Sequence, residues 1–409
     1  MFSNQLLELS LNAPTKCLAA IRADKTDSRF IAGSCSLHET NQITVFRFHP
    51  ELNDLGIDGR LDHSVGPVGV LCPSPSEKSM LLTVAEESCT ATLWRIPAEV
   101  IDRTDELDYN PDSVDSPPEE DTQEYSLEQI STLVDFDADS PILNMVWRDT
   151  NLDVDRGDTG VAGEVISLDR SGRVTMWDVE AAQPVQTHNV TFENQMTPPR
   201  IALDPHGAHG VAVTVGDAVR VVDWRADSYK ASATIEGFRA HRFGVADIDY
   251  NPNKPFVLAT AGLDGLLKFW DLRNPRIPLL TARGGHAHYT WNVKYNPFHD
   301  QLVLSTGTDS TVNLWRISSI SSAPLLAEVD DASETSAPNL RVARYEHADS
   351  VYGMAWGAAD AWLYASVGYD GKVWQTTFPR RKSTRYCYSS WLHQVALIPL
   401  NLKDITSMK

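Results

Sequence analysis

Five segments of this chain end alike, in a short apolar run closed by tryptophan. They are TATLWRI (90–96), RVTMWDV (173–179), VRVVDWR (219–225), LLKFWDL (266–272) and TVNLWRI (311–317). NQITVFRF (41–48) and GKVWQTTF (371–378) are degenerate copies. The anchoring aromatics Phe46, Trp94, Trp177, Trp224, Trp270, Trp315 and Trp374 follow one another at intervals of 48, 83, 47, 46, 45 and 59 residues. A repeat of about 40–45 residues closed by Trp-Asp marks a WD40 propeller, in which each repeat makes a four-stranded blade. Seven anchors predict an all-β, seven-bladed WD40 β-propeller in one domain, residues 1–379. Length alone suggests about two or three domains, and the repeat overrides it.

The two long intervals hold insertions. Residues 102–139 carry fourteen Asp and Glu against one basic residue, Arg103, so −13 of the net charge of −20 lies there. NPDSVDSPPEEDTQE (110–124) and VDDASETSAPN (329–339) are rich in Asp, Glu, Ser and Pro and poor in aromatics. Both are expected to be loops, the first an acidic mobile loop over about 100–128. Each precedes a plausible strand, ISTLVDF (130–136) or RVARYE (341–346), which puts both insertions between the third and fourth strands of a blade. RDTNLDVDRGDTG (148–160) falls between the first and second strands of blade 3. All three then share one face, called the bottom here. An open ring would leave an exposed sheet edge, so QLLELSL (5–11) is expected to supply the outer strand of the last blade. Residues 380–409 form a tail.

Several function classes are disfavoured. No apolar run approaches the ~20 residues of a membrane span, and MFSNQLLELSLNAPTK lacks the pattern of a secretory signal. Five scattered cysteines (Cys17, Cys35, Cys72, Cys89, Cys387) form no CxxC pair, which argues against a zinc site or a disulfide framework and for a reducing compartment. An acidic chain repels nucleic acid at long range. No phosphate loop, HExxH or GxSxG stands in its required context. No cofactor, metal or catalytic residue is expected.

Blades 5, 6 and 7 share a finer grammar. His241, His286 and His347 each lie 23 residues before an aspartate: Asp264, Asp309 and Asp370. Four residues before each Asp stands Thr260, Ser305 or Ser366; six after come Trp270 and Trp315, but in blade 7 Thr376, with Trp374 at +4. Ser366, His347 and Asp370 resemble a hydrolase triad. One spacing repeated in tandem instead points to structural tetrads, since buried polar groups must satisfy one another and a catalytic site needs one triad plus an oxyanion hole. The same frame predicts the top of the ring: Tyr289, Trp291 and Thr308 from His286; Ser350, Tyr352 and Tyr369 from His347; Gly244, Ala246 and Leu263 from His241. Four aromatics gather on blades 6 and 7, a composition suited to a protein-binding hot spot. The basic FPRRKSTRYCY (378–388) differs from the Phe-Arg-Arg-Gly motif of phosphoinositide-binding propellers by Pro379 and by lacking the glycine.

NPNKPFVLATAGLDGLLKFWDLRNPRIP, HYTWNVKYNPFHDQLVLSTGTDSTVNLWRISSISSAP and YEHADSVYGMAWGAADAWLYASVGYDGKV carry a closer resemblance, which extends weakly to NQITVFRF and TLWRIPAE. Over about residues 240–375 the chain resembles the EARP and GARP complex-interacting protein family. The resemblance implies a non-catalytic, monomeric propeller that binds subunits of multisubunit tethering complexes, supporting endosomal recycling and endosome-to-Golgi retrograde transport. It implies a cytoplasmic protein peripheral to the trans-Golgi network and endosomes, with no nucleic acid and no membrane insertion. It assigns no contact residues. A rival reading is a substrate receptor of a cullin–RING ubiquitin ligase, because Trp270-Asp271-Leu272-Arg273 matches a WDxR box with Arg273 as the adaptor contact. A histone-binding propeller suits the acidic loops but calls for a long N-terminal helix.

Overall fold

The computed structural model describes residues 6–49, 54–103, 124–135, 139–148, 164–190, 197–207, 210–223, 235–322 and 339–377. These build seven sheets, antiparallel but for one outer pair in blade 1, arranged as a seven-bladed β-propeller, with one helical turn at Ala98–Ile101. Within a blade, strands a to d run from the central channel to the rim. Blade 5 is typical: Val245–Tyr250, Val257–Gly262, Leu267–Asp271 and Leu280–Ala282. Blades 2 to 6 take all four antiparallel strands in chain order. Blade 7 takes its outer strand from the other end of the chain. Leu6–Ser10 lies antiparallel to Lys372–Thr377, with Leu6 opposite Thr376 and Ser10 opposite Lys372. The termini of the folded ring are thereby zipped into one sheet, so no blade keeps an unfinished edge.

The core lies between the blades. Strands b and c are almost continuously buried because both of their faces are covered by neighbouring sheets, as in LVLSTG (302–307) against TVNLWRI (311–317). At the seam, Phe30, Ala32 and Phe46 of blade 1 pack on Leu363, Ala365, Val367 and Val373 of blade 7, with Leu7, Leu9 and Leu11 alongside.

Register corrects two anchors. In blades 2, 3, 5 and 6 the anchor sits opposite the second residue of strand b, as Trp270 does opposite Leu258 and Trp315 opposite Val303. In blade 4 that place belongs to Val222, opposite Val211; Trp224 comes two residues later and lies outside the described residues. In blade 7 it belongs to Thr376, opposite Tyr364, while Trp374 faces Ser366.

The acidic stretch expected as a loop over about 100–128 is ordered at both ends. Ala98–Ile101 forms the helical turn, with Val100 and Ile101 buried. Glu124–Ser126 pairs in parallel with the outer strand of blade 1, Asp54–Asp62, as a fifth strand. Gly59 makes room for both: a Cβ there would lie 2.8 Å from Val100 and 3.2 Å from Tyr125. Residues 104–123, the insertions at 149–163 and 323–338, and the tail from 378 onward lie outside the described residues. No described helix is long and apolar enough to cross a membrane.

Candidate functional site

The top of the ring is built by a repeated local device. In six of the seven blades the pairing of strand a with strand b skips the second residue of strand a. These residues are Lys16, Gly69, Leu143, Ala246, Trp291 and Tyr352. A bulge of this kind re-aims one side chain out of the ladder. Beside it, the b–c turn of the same blade is tied back by one backbone bond. Tyr369 N donates to Ser350 O at 3.0 Å, Thr308 N to Tyr289 O at 3.1 Å and Leu263 N to Gly244 O at 3.0 Å. Glu86 N and Arg170 N make the same bond to Pro67 O and Pro141 O. The bulged residue and the turn residue of each blade therefore form a ring of side chains around the channel mouth.

That ring has three chemically distinct arcs. On blades 6 and 7, Trp291 and Tyr352 meet edge to face at 5.5 Å and 87°, and Tyr352 meets Tyr369 at 6.0 Å and 74°. The ladder continues into blade 1, where Lys16 Nζ stands 5.8 Å over the Tyr369 ring. Edge-to-face pairs and cations over rings are each worth about 0.5–1.5 kcal/mol, so the arc is preorganised. Lys16 opens a charged arc over blades 1 to 3: its ammonium binds Glu86 at 2.8 Å, and Arg170 pairs with Glu87. Burial opposes the Lys16 charge, but the bond to Glu86 outweighs it and raises the Lys16 pKa. On blade 5 the bulged residue is the small, buried Ala246, so the rim is low there.

The structure thus joins Trp291, Tyr352 and Tyr369 into one patch. Tyr289 is on the same face and exposed, but its ring leans on His288 at 4.0 Å rather than on the ladder. Leu263 is half-buried beside Gly244, on the low side of the ring. Sequence reading missed Lys16, Glu86 and Arg170. The counting frame starts at a histidine, and Leu11 stands in that place in blade 1, four residues before its strand a.

Arg273 lies on the opposite face, after strand c of blade 5. Its Nε and Nη2 donate to the carboxylate of its own Asp271 at 2.9 and 2.7 Å, and its guanidinium covers the exposed Phe256 ring at 5.5 Å.

The polar constellations are interior. In blade 5, Trp270 Nε1 donates to Thr260 Oγ1 at 3.0 Å, His241 Nε2 lies 2.8 Å from that hydroxyl, and His241 Nδ1 lies 2.7 Å from Asp264 Oδ1. Burial lowers the His241 pKa although Asp264 pulls the other way, so the ring is neutral near pH 7. One proton arrangement then satisfies all three bonds: indole to hydroxyl, hydroxyl to Nε2, Nδ1–H to carboxylate. Blade 6 repeats it with Trp315, Ser305, His286 and Asp309 at 3.0, 2.8 and 3.0 Å. Blade 2 has a version that spacing did not reveal, with His63 and Trp94 on Thr83 and Gly66 O in place of the carboxylate. In blade 7, His347 reaches Ser366 at 2.8 Å, but its Nδ1 has no hydrogen-bond partner among the described residues and the ring stacks on Trp374 at 4.2 Å. Thr260, Ser305 and Ser366 are all buried, so no substrate reaches these hydroxyls. Among the described residues no cluster of His, Cys, Asp and Glu can hold a metal.

Comparison with known proteins agrees with this architecture. The family model described as EIPR1 beta-propeller matches residues 8–315. The chain is 32% identical to EARP and GARP complex-interacting protein 1 of Rattus norvegicus and 31% identical to the protein of that name in Homo sapiens, each over 90% of this chain and 95% of the relative. It is 30% identical to the EARP-interacting protein homolog of Gekko japonicus over the same shares.

Proposed function

Since the chain belongs to the EIPR1 β-propeller family, we propose that it is a non-catalytic scaffold that binds the EARP and GARP complexes through the aromatic arc of its top face. In this reading it acts from the cytoplasm, peripheral to the trans-Golgi network and endosomes, and supports endosomal recycling and endosome-to-Golgi retrograde transport. The names of the relatives supply the partner. The observation that carries the choice of face is the continuous ladder Trp291–Tyr352–Tyr369, ending under Lys16. Interfaces concentrate their energy in such aromatic anchors, and here the bulges hold them ready without ordering cost. No bond is made or broken; the ring presents the arc rigidly.

The test is capture of the native complexes by a Trp291→Ala, Tyr352→Ala double variant. Loss of two hot-spot residues should weaken capture about 30-fold or more, with the thermal midpoint nearly unchanged. Undiminished capture by a folded double variant removes this face from the function. Arg273→Ala separates the ligase-adaptor alternative. Arg273 lies on the opposite face from the aromatic arc, with Nε and Nη2 on Asp271, so capture of the tethers should survive that change.

A further inference from the structure

Each bulge sends one residue up to the rim and sets the next one below it, on the innermost strand beside the channel. In blade 6, Trp291 joins the aromatic arc and Asn292 stands beneath it, opposite Thr306. In blade 5, Asp247 takes the lower place opposite Ala261, and in blade 3, Asn144 takes it opposite Leu168. In blade 4 the same place is Arg200. Thr214 N donates to Arg200 O at 2.9 Å, one step beyond the pairing of Ile201 with Val213. In all four blades the partner on strand b is the third residue past the one opposite the anchor position, so the four side chains start from one height.

Their polar groups differ in what they hold. Asp247 is engaged with the next blade: it accepts from Val293 N at 3.1 Å and pairs with Lys294 Nζ at 3.4 Å. Asp249 holds the same ammonium at 3.8 Å. Arg200 is half-buried and makes no ion pair, with Asp247 or any other carboxylate, and no side-chain hydrogen bond among the described residues. Its Nε is buried with no partner there. Asn292 gives its amide oxygen to the Thr306 hydroxyl at 3.0 Å, which leaves its amide N–H groups without a partner among the described residues. The Asn144 side chain has none either. Arg200 also reaches inward. Burial pushes the Cys17 thiol of blade 1 up to about 12, and the first charge that opposes this is Arg200. Blades 4 and 1 are not neighbours in the ring, so the guanidinium acts on Cys17 across the channel.

We infer that the throat below the aromatic arc takes a carboxylate side chain, Asp or Glu, of the tether subunit lying on that arc, with Arg200 as its partner and the Asn144 and Asn292 amides beside it. This rests on the arc as the tether-binding face and gives the partner its chemistry. The guanidinium is a planar fork of donors matched to a carboxylate, and it is the cation at this height that no carboxylate holds. Trp291 and Asn292 are consecutive, so a chain covering the arc passes over the throat. The partner segment is therefore an acidic residue flanked by apolar ones that cover Trp291 and Tyr352. A neutral side chain in place of the acid would leave the half-buried guanidinium without an anion, so the throat selects among partners and fixes their register.

Capture of the native complexes by the full chain tests this with Arg200→Met, Arg200→Lys and the Trp291→Ala, Tyr352→Ala pair. Arg200→Met keeps the stem and removes the charge. It should weaken capture about tenfold or more, the loss of a hydrogen-bonded charge partner, with the thermal midpoint unchanged or raised because a buried orphan donor is gone. Arg200→Lys keeps the charge without the fork and should capture at a level between parent and Arg200→Met. Capture by Arg200→Met equal to that of the parent, while the arc pair has lost it, overturns the throat and leaves the arc. Weakened capture with a clearly lowered midpoint makes Arg200 a structural residue and also overturns the throat. Undiminished capture by the folded arc pair refutes the arc and the throat with it. A free anion as the occupant would show as a midpoint raised by inorganic phosphate in the parent and not in Arg200→Met, with capture equal in both, and that too overturns the assignment.

Discussion

Blades 5 and 6 and blades 7 and 1 are adjacent pairs in one ring, built on the same strand plan and held together by different chemistry. In blades 5 and 6 each anchor tryptophan ends a hydrogen-bonded relay to a carboxylate at the top surface. In blade 7 the tryptophan is displaced by two residues and stacks on the histidine instead. In blade 1 the relay is gone, and a buried ion cluster works from the other end of the sheet. Asp58 lies between Arg29 and Arg47, with Nε of each at 3.0 and 2.9 Å, and Asp24 also pairs with Arg29. Arg103 closes the cluster: it donates to Asp58 O at 3.0 Å, and its own carbonyl accepts from Arg29. The difference teaches where each blade stores its order. The tetrad blades store it in a hydrogen-bonded relay that ends on one carboxylate near the top. The seam stores it in charge near the bottom, beside the root of the acidic insertion.

The largest expected effect breaks this comparison if it fails. Asp58→Ala takes the buried carboxylate from between Arg29 and Arg47, both 3% exposed, and leaves them sharing only the more distant and more exposed Asp27. Stranding a buried charge costs about 3–5 kcal/mol. Asp309→Ala in blade 6 removes a carboxylate that is not shared between two buried cations, and with it the hydrogen bonds from His286, Ala287 and Thr311, and should cost about 1–3 kcal/mol. Urea unfolding of the two variants checks the order. Equal losses would mean that the seam is no more dependent on charge than the tetrad blades.

A second, smaller effect is read in pH. His347 lacks a carboxylate partner, and burial pushes its pKa down to about 4. In the unfolded chain it titrates near 6.5. Between those values the unfolded state binds a proton that the folded state refuses, so stability falls as pH drops from about 6.5 to 4, by at most about 1.4 kcal/mol per unit. Below that window both states are protonated and this contribution is spent. In blade 6 the sign of the carboxylate governs instead. Burial opposes the Asp309 charge, but bonds from His286 and the Ala287 amide win and hold its pKa well below the carboxylate range. Stability from Asp309 is thus lost only on more acidic titration. Unfolding free energy of the parent and of His347→Gln across pH 4–7 checks this, and the variant should show the shallower slope.

Much of this organisation is legible in the sequence, for a physical reason. The relay of blades 5 and 6 needs a histidine, a hydroxyl, a carboxylate and an indole at fixed places, so it leaves a spacing of 23 between His241 and Asp264 and again between His286 and Asp309. The aromatic ladder follows by counting from the same histidines. What fails is what lacks polar punctuation. Val222 and Trp224 lie two residues apart in the sequence, and a period of two alone cannot decide which is the anchor. Blade 1 has Leu11 where the counting histidine would stand, four residues before its strand a, which hid Lys16. The helical turn at Ala98–Ile101 and the parallel strand at Glu124–Ser126 sit in acidic sequence whose order comes from docking on Gly59 and Asp58, not from local propensity.

The finest version of the comparison makes the same substitution on both sides. Trp315→Phe and Trp374→Phe delete the same atoms, so the loss of ring volume is common to both. What differs is the indole N–H. In blade 6 it donates to Ser305 at 3.0 Å, and its removal leaves that buried hydroxyl with one donor fewer. In blade 7 the Trp374 N–H is buried with no partner among the described residues, so its removal relieves an unpaired donor. The blade 6 variant should therefore be the less stable by about 1 kcal/mol, the net worth of one buried hydrogen bond. Paired thermal and urea unfolding resolve a difference of that size. If Trp374→Phe proves the costlier, its stacking on His347 replaces the relay in energy as well as in position, and the two kinds of blade differ in geometry alone.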